Sequence, residues 1–180
     1  MRAPLSPVWQ RGSVRHPEVV DSEAFLAELS AAGVEFIVVG GAAALLHGAP
    51  ITTQDLDIVH RRTPENVERL LHVLLRLDAI FRYDLANRRL RPTAAVLAGR
   101  GQINLSTTLG PIDPLCELGE GEGYEELLPH SVLMTEGDLS LRVLDLPTLI
   151  AVKAKTGRAK DRAVLPVLIA TLEESSKKQP

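Results

Sequence analysis

Cysteine and aromatic residues are scarce in this chain of 180 residues, which has one cysteine and 3% aromatic residues. The single cysteine, Cys116, excludes an internal disulfide and any zinc site built from several cysteines, and we expect it in the core. With so few aromatic side chains, the core must consist of Leu, Val, Ile and Ala. The same scarcity disfavours a base-stacking platform for single-stranded nucleic acid.

Long apolar runs and an excess of positive charge are also missing. No run approaches the roughly 20 residues needed to span a bilayer, and the N-terminus lacks the apolar centre of a signal peptide. We therefore expect a cytoplasmic protein without membrane contact. The formal net charge of −3 argues against a generally basic nucleic-acid-binding protein, but it leaves room for a local basic patch.

The stretch around which the chain is organised runs from Phe36 to Val59. An apolar run at Phe36–Val39 predicts a strand, and Gly40-Gly41 predicts a turn that lets the main chain approach a neighbour closely and adopt positive φ. The small residues Ala42–His47 then favour a short helix, which a glycine and a proline end. The N–H groups at the start of this helix make a plausible anion cradle.

Two carboxylates follow this helix, at Asp55 and Asp57, and lead into a second apolar stretch. If the segment is extended, their side chains point to one face while Leu56 and Ile58 point into the core. Two such carboxylates repel each other unless a cation lies between them, and hard oxygen ligands suit magnesium. A phosphate cradle facing a metal-binding carboxylate pair implies phosphoryl or nucleotidyl chemistry.

These motifs resemble the nucleotidyltransferase superfamily, whose fold is shared with DNA polymerase β. The resemblance rests on Gly40-Gly41, a short helix ending in His47-Gly48, and Thr53-x-Asp55-x-Asp57. It extends from about Phe36 to Leu168 and is strongest to small bacterial proteins similar to the nucleotidyltransferase-like toxins of abortive-infection toxin-antitoxin systems.

The resemblance implies an α+β fold, in which a mixed β-sheet is flanked by helices and followed by C-terminal helices. We expect this nucleotidyltransferase-like domain to span residues 19–174, after a flexible N-terminal arm at residues 1–18 and before a disordered tail at residues 175–180.

The activity that the resemblance implies is transfer of a nucleoside monophosphate from a nucleoside triphosphate, such as ATP, to an acceptor hydroxyl. The acceptor would be RNA such as tRNA, a protein or a small molecule, and the cofactor would be Mg²⁺, or Mn²⁺ in its place. Asp55, Asp57 and Asp113 would hold two metal ions, and Asp113 would help to deprotonate the acceptor. The nucleotide and its phosphates would contact Gly40, Gly41, Thr53, Lys153 and Lys160.

Asp113 lies in a predicted hairpin formed by the alternating segment 102–107 and the segment 112–116. A lone carboxylate in an apolar strand is costly to bury without a partner, so another group must satisfy it. The segment Leu109–Asp113 resembles the position of a third carboxylate in the superfamily, which implies that Asp113 is a site residue. The alternative is that Asp113 faces solvent beside the turn. Pro114 directly after it indicates an edge strand.

Helices are predicted on both sides of these motifs. Asp21-Ser22 starts one that ends near Gly33, and Thr63-Pro64 starts another that runs to about Leu77. Two further strands, at 131–134 and 139–144, precede a C-terminal pair of helices that carries Lys153 and Lys160. The alternative for each lysine is a solvated helix face.

Two local features and the chain as a whole each allow two interpretations. The basic segment Asn87–Pro92 is either a surface loop or a contact for nucleic acid or triphosphate. His47 either contacts the nucleotide or acceptor, or it is a capping or packing residue. The whole chain is either an enzyme or a catalytically inactive module with this fold, for example a toxin-antitoxin component bound to a cognate partner.

Overall fold

A mixed β-sheet forms the centre of the computed structural model, which describes residues 16–84, 86, 88–119, 121–137 and 139–177. The predicted arm at residues 1–18 lies outside these residues except for 16–18, and the predicted tail lies outside them from residue 178. The last helix runs to Lys177, three residues into the segment expected as a tail.

The described residues form seven strands and seven α-helices, each numbered here in chain order. The helices are α1 (Ser22–Ala31), α2 (Gly40–Leu46), α3 (Pro64–Arg76), α4 (Ala94–Ala98), α5 (Tyr124–Leu127), α6 (Leu146–Thr156) and α7 (Ala159–Lys177). The strands are β1 (Phe36–Val38), β2 (Leu56–His60), β3 (Ile80–Phe81), β4 (Leu105–Thr107), β5 (Gly110–Leu115), β6 (Ser131–Glu136) and β7 (Leu139–Leu144).

The strands form one sheet in the order β3-β4-β5-β2-β1-β7-β6. β1 is antiparallel to β2 and parallel to β7, while β2 is parallel to β5. β4 and β5 form the predicted hairpin, β6 and β7 confirm the two further strands predicted and pair as a second hairpin, and β3 pairs with β4 at the edge. The centre of the sheet, β1, β2 and β5, carries the motifs on which the sequence analysis depends.

Local signals explain where the main helices begin. Asp21, Thr63 and Asp145 cap α1, α3 and α6, each accepting a hydrogen bond from the main-chain N–H three residues on. The predicted helix starts at Asp21-Ser22 and Thr63-Pro64 are therefore confirmed. The apolar sides of α1 and α3 pack on the sheet, with Phe25 and Leu70 fully buried.

Pro114 corrects one prediction, because β5 is an interior strand between β4 and β2 and not an edge strand. Pro114 lacks an N–H but its carbonyl still accepts a hydrogen bond from Ile103, 3.1 Å away, so one side of the ladder continues through it. Cys116, which follows β5, is 2% exposed, confirming its predicted place in the core.

Within the part of the chain that the structure describes, no helix is both long enough and apolar enough to cross a membrane.

Candidate active site

Asp57 and Asp113 lie side by side in the middle of the sheet. They are partners in the parallel register of β2 and β5, so their side chains leave the sheet on the same face. Leu56 and Ile58, on either side of Asp57, are fully buried on the opposite face, as the alternation predicts. The side chain of Asp113 is only 4% exposed, which excludes the alternative that it faces solvent.

The turn between β1 and α2 packs directly against Asp57. Gly40 has φ +62°, and a Cβ atom there would lie 2.9 Å from Cγ of Asp57 and closer still to Oδ2. A Cβ atom on Gly41 would lie 2.7 Å from Oγ1 of Thr53. Both glycines are therefore required by close packing against site residues, and only Gly40 also needs the left-handed conformation.

Asp55 stands at the entrance to β2, where its side chain is 35% exposed. The Thr53 hydroxyl lies 3.0 Å from the main-chain oxygen of Asp55, to which it donates, and 3.3 Å from its Oδ1. Thr53 thus holds the main chain at Asp55 in place, and it also packs on Gly41.

The carboxylates of this site repel one another. Burial raises the pKa of Asp57 to about 7, and the charges of Asp55 and Asp113 add to the increase. The charges of Lys160 and Lys153 act in the opposite direction and are outweighed. A cation beside Asp57 would relieve this repulsion.

Asp113 is held by three donors that the sequence analysis did not identify. Arg82 Nη2 lies 2.7 Å from Oδ1, and the amide nitrogens of Gln102 and Asn104 lie 2.9 and 2.6 Å from Oδ2. Burial raises the pKa of Asp113, while the charge of Arg82 and these hydrogen bonds offset part of the increase. The carboxylate is thus partnered, as the cost of burying it requires.

Arg82 also connects Asp113 to the rest of the site. Its Nη1 lies 3.8 Å from Oδ2 of Asp55, and its side chain is 21% exposed. Arg82 follows directly after the edge strand β3. Because β3 pairs with β4, which in turn pairs with β5, the guanidinium reaches Asp113 on β5. No local motif marked Arg82, because its position depends on this pairing across the sheet.

The two predicted lysines differ in their surroundings. Lys153 Nζ lies 2.9 Å from Oδ1 of Asp161, and Thr156 donates to Oδ2 of the same carboxylate. Lys160 is exposed, and no carboxylate of the described residues lies within ion-pair distance of it. Both lysines act on the pKa of Asp57, so the start of α7 and the end of α6 lie near the carboxylates.

The remaining candidate groups have structural partners. Nε2 of His47 lies 2.8 Å from the carbonyl oxygen of Leu144, which favours the packing role for this histidine. In the basic segment, Arg89 and Arg91 pair with Asp78, and Arg88 contacts Asp84. These contacts favour the surface-loop interpretation of that segment.

Among the residues that the structure describes, Asp55 and Asp57 form the pair that fits a metal ion. Asp55 and Asp57 supply hard carboxylate oxygens, and Asp57 has no side-chain cation within ion-pair distance among the described residues. The oxygens of Asp113 are engaged by the three donors. Over the ranges that the structure describes, no group of three or more His, Cys, Asp or Glu side chains is arranged to hold a metal ion.

Comparison with known proteins supports the fold. No protein-family model and no curated protein matches the sequence. Among solved structures, the chain is similar to a Thermotoga maritima protein provisionally assigned as a nucleotidyltransferase, with a TM-score of 0.51 and 15% sequence identity. The match covers 83% of this chain and 90% of the other. The chain therefore has a nucleotidyltransferase-like fold, a mixed sheet flanked by helices.

Proposed function

We propose that this protein is a metal-dependent nucleotidyltransferase that moves a nucleoside monophosphate from a nucleoside triphosphate to an acceptor hydroxyl. One observation carries the proposal: Asp57 lies against the glycine turn at Gly40 with no room for a side chain between them, and Thr53, which donates to the main-chain oxygen of Asp55, lies equally close to Gly41. This arrangement brings a carboxylate pair and main-chain N–H groups to one place, as a triphosphate with its metal ion requires.

The cofactor proposed is Mg²⁺, or Mn²⁺ in its place, held by Asp55 and Asp57. When bound, the ion neutralises charge on the triphosphate and on the leaving pyrophosphate. The structure supports this choice through the donor set, two carboxylates of which one has its pKa raised to about 7 by burial and by its neighbours' charge. A divalent cation bound to both carboxylates would offset the repulsion between them.

The chain's own residues position the reactants. Main-chain N–H groups of Gly40 and Gly41 would donate to phosphate oxygens, since the first N–H groups of a helix have no partner within it. Thr53 would hold Asp55 in place through the bond to its main-chain oxygen. Lys160, exposed beside the carboxylates, would pair with the triphosphate, and Lys153 would contribute its charge from its ion pair with Asp161.

In the reaction, the acceptor oxygen forms a bond to the α-phosphorus while the bond from that phosphorus to the bridging oxygen breaks. Pyrophosphate leaves, and the acceptor's proton passes to a base or to water. Catalysis would come mainly from positioning and charge neutralisation. The proposed acceptors are the hydroxyls of an RNA end, of a protein side chain or of a small molecule. From its resemblance to the toxins of abortive-infection systems, we also propose that the chain is a component of a toxin-antitoxin system.

The test is transfer of label from each α-labelled nucleoside triphosphate in the presence of Mg²⁺, with tRNA and cell extract as acceptors. We expect the wild type to label one acceptor class, and EDTA to abolish the labelling. The Asp55→Asn/Asp57→Asn variant should give none. Glu68→Gln, which removes a charge from the exposed face of α3, is the control and should act as the wild type does.

Absence of both transfer and metal-dependent nucleotide binding would contradict the proposal. The chain would then be a module that keeps the fold to bind a protein partner. In that case the partner should copurify with the chain, and the Asp55→Asn/Asp57→Asn variant should retain it.

A further inference from the structure

Asp113 is surrounded by donors on both of its oxygen atoms. Arg82 approaches Oδ1 at 2.7 Å, while Gln102 and Asn104 approach Oδ2 at 2.9 and 2.6 Å. A carboxylate offers about four lone-pair directions, so three donors leave little for a metal ion. At 4% side-chain exposure, Asp113 also has little open surface through which a further ligand could reach it.

Arg82 lies where a cation shared by Asp113 and Asp55 would have to lie. Its two terminal nitrogens face the two carboxylates, Nη2 at 2.7 Å from Asp113 and Nη1 at 3.8 Å from Asp55. Nη2 also donates to the carbonyl oxygen of Leu105, 3.2 Å away, which fixes the plane of the group. A guanidinium is charged at every accessible pH, so this cation is permanent.

Asp57 has the opposite environment. Asp113 is its direct partner in the register of β2 and β5, Asp55 precedes it by two residues, and no arginine or lysine of the described residues lies within ion-pair distance of it. The uncompensated negative charge of the site is therefore concentrated between Asp55 and Asp57. One further cation would balance the site, whereas two would exceed what the free carboxylate oxygens can bind.

We propose that Arg82 takes the place of a second metal ion, so that the site binds one divalent cation, through Asp55 and Asp57. Asp113 then serves to position Arg82 and is not a metal ligand. This inference rests on the proposed function, and it replaces the expectation that Asp55, Asp57 and Asp113 share two metal ions.

The number of Mn²⁺ ions bound per chain tests the inference without any need for activity. Mn²⁺ alone is titrated into the protein and followed by electron paramagnetic resonance, which also reports coupling between neighbouring ions. We expect one Mn²⁺ in the wild type, with its affinity reduced by about 100-fold or more in Asp57→Asn because a direct ligand is lost. Arg82→Lys, which keeps a cation, should also bind one.

Removing the guanidinium should create the second site. We expect Arg82→Gln to bind two Mn²⁺ ions with a coupled signal, the second of them dependent on Asp113. The control is Arg69→Gln, which removes an exposed arginine on α3 and should leave one Mn²⁺.

The double variant Arg82→Gln/Asp113→Asn decides the matter even if Arg82→Gln does not fold, since it leaves no unpaired buried charge. We expect it to bind one Mn²⁺ with an affinity within about tenfold of the wild type, because the two removed charges oppose each other. Loss of Mn²⁺ in this variant, or two ions in the wild type, would overturn the inference and leave the proposed function intact. No Mn²⁺ in the wild type would contradict the metal site of the proposed function itself.

Discussion

At the scale of single residues, Gly40 is where the main chain and a site carboxylate come closest. A Cβ atom there would lie 2.9 Å from Cγ of Asp57, and the residue has φ +62°. Gly33 is a matched reference, since its φ is +65° and nothing lies within 4 Å of a Cβ atom there. The two glycines therefore separate the cost of the backbone conformation from the cost of the contact.

We predict that Gly40→Ala weakens Mn²⁺ binding by about tenfold or more, because Asp57 must move to make room. Gly33→Ala should leave Mn²⁺ binding unchanged while lowering the free energy of unfolding by about 1–2 kcal/mol, the cost of a left-handed alanine. Calorimetric titration and urea unfolding measure the two effects. Equal Mn²⁺ affinity in both variants would mean that the contact with Asp57 does not position a ligand.

Asp57 should make stability depend on pH when divalent cations are absent. Its pKa rises from 3.8 to about 7 on folding, so the folded chain keeps this proton over a range in which the unfolded chain has lost it. The free energy of unfolding should therefore fall, on account of this residue, as pH rises from about 4 to about 7, and then level off.

Asp57→Asn removes this dependence. We expect the variant to gain stability over the wild type as pH rises from about 4 to about 7, as measured by urea unfolding in EDTA. Glu68→Gln, the exposed control on α3, should follow the wild type throughout. Parallel pH profiles for Asp57→Asn and the wild type would show that the carboxylate is not destabilised by burial.

At the scale of elements, the junction of α6 and α7 is fastened by one ion pair. Lys153 and Asp161 have side chains that are 16% and 8% exposed, and Thr156 donates to the same carboxylate. Burial raises the pKa of Asp161, but the hydrogen bonds from Lys153 and Thr156 and the lysine charges outweigh this and hold the pKa below its usual value. This pair therefore contributes stability above the unfolded pKa of 3.8, which is lost as pH falls below it.

We predict that Asp161→Ala lowers the free energy of unfolding by about 2–3 kcal/mol, since it leaves a lysine without its partner in a largely buried position. Hydrogen exchange should rise in α6 and the first turns of α7, and stay unchanged in β1 and β2. Glu173→Ala, at an exposed position further along α7, should change neither. Exchange that rises evenly over the whole sheet would contradict a local fastening.

Substitutions of the two lysines of this junction should differ in their effects on ATP binding and on stability. Lys160→Ala should weaken binding of ATP with Mg²⁺ by about tenfold and leave stability nearly unchanged, because this exposed lysine has no ion-pair partner among the described residues, whereas the bound triphosphate would lie close to its charge. Lys153→Ala should lower both, because it also breaks the pair with Asp161. If Lys160→Ala binds ATP as the wild type does, the triphosphate does not lie beside α7.

At the scale of the whole molecule, individual helices and hairpins follow from the sequence because their signals are local, whereas the mixed sheet was expected only from the resemblance. Caps at Asp21 and Thr63 mark helix starts, and turn residues at Gly110 and Gly137 separate alternating strands into hairpins. The strand that ends at Gly40 and the strand that carries Asp57 are likewise marked by short apolar runs. Each of these signals lies within a few residues of the structure it specifies.

The donors around Asp113 were harder to predict. Leu105 pairs with Ile112 across the hairpin, which sets Asn104 opposite Asp113, so the alternation and the turn together held enough information to find Asn104. Arg82 had no such signal, since it depends on a strand of two residues, β3, that joins the sheet through β4. The arrangement of strands decides which charge reaches the site, and that arrangement is a property of the whole sheet.

The central claim is that a divalent cation binds between Asp55 and Asp57, beside the turn at Gly40. The most direct measurement is the anomalous scattering of Mn²⁺ in crystals grown with Mn²⁺ and a non-hydrolysable ATP analogue. We expect one peak in contact with both carboxylates, with Arg82 still bound to Asp113 and the triphosphate against the glycine turn. A nucleotide bound elsewhere, or no peak at Asp55 and Asp57, would contradict it.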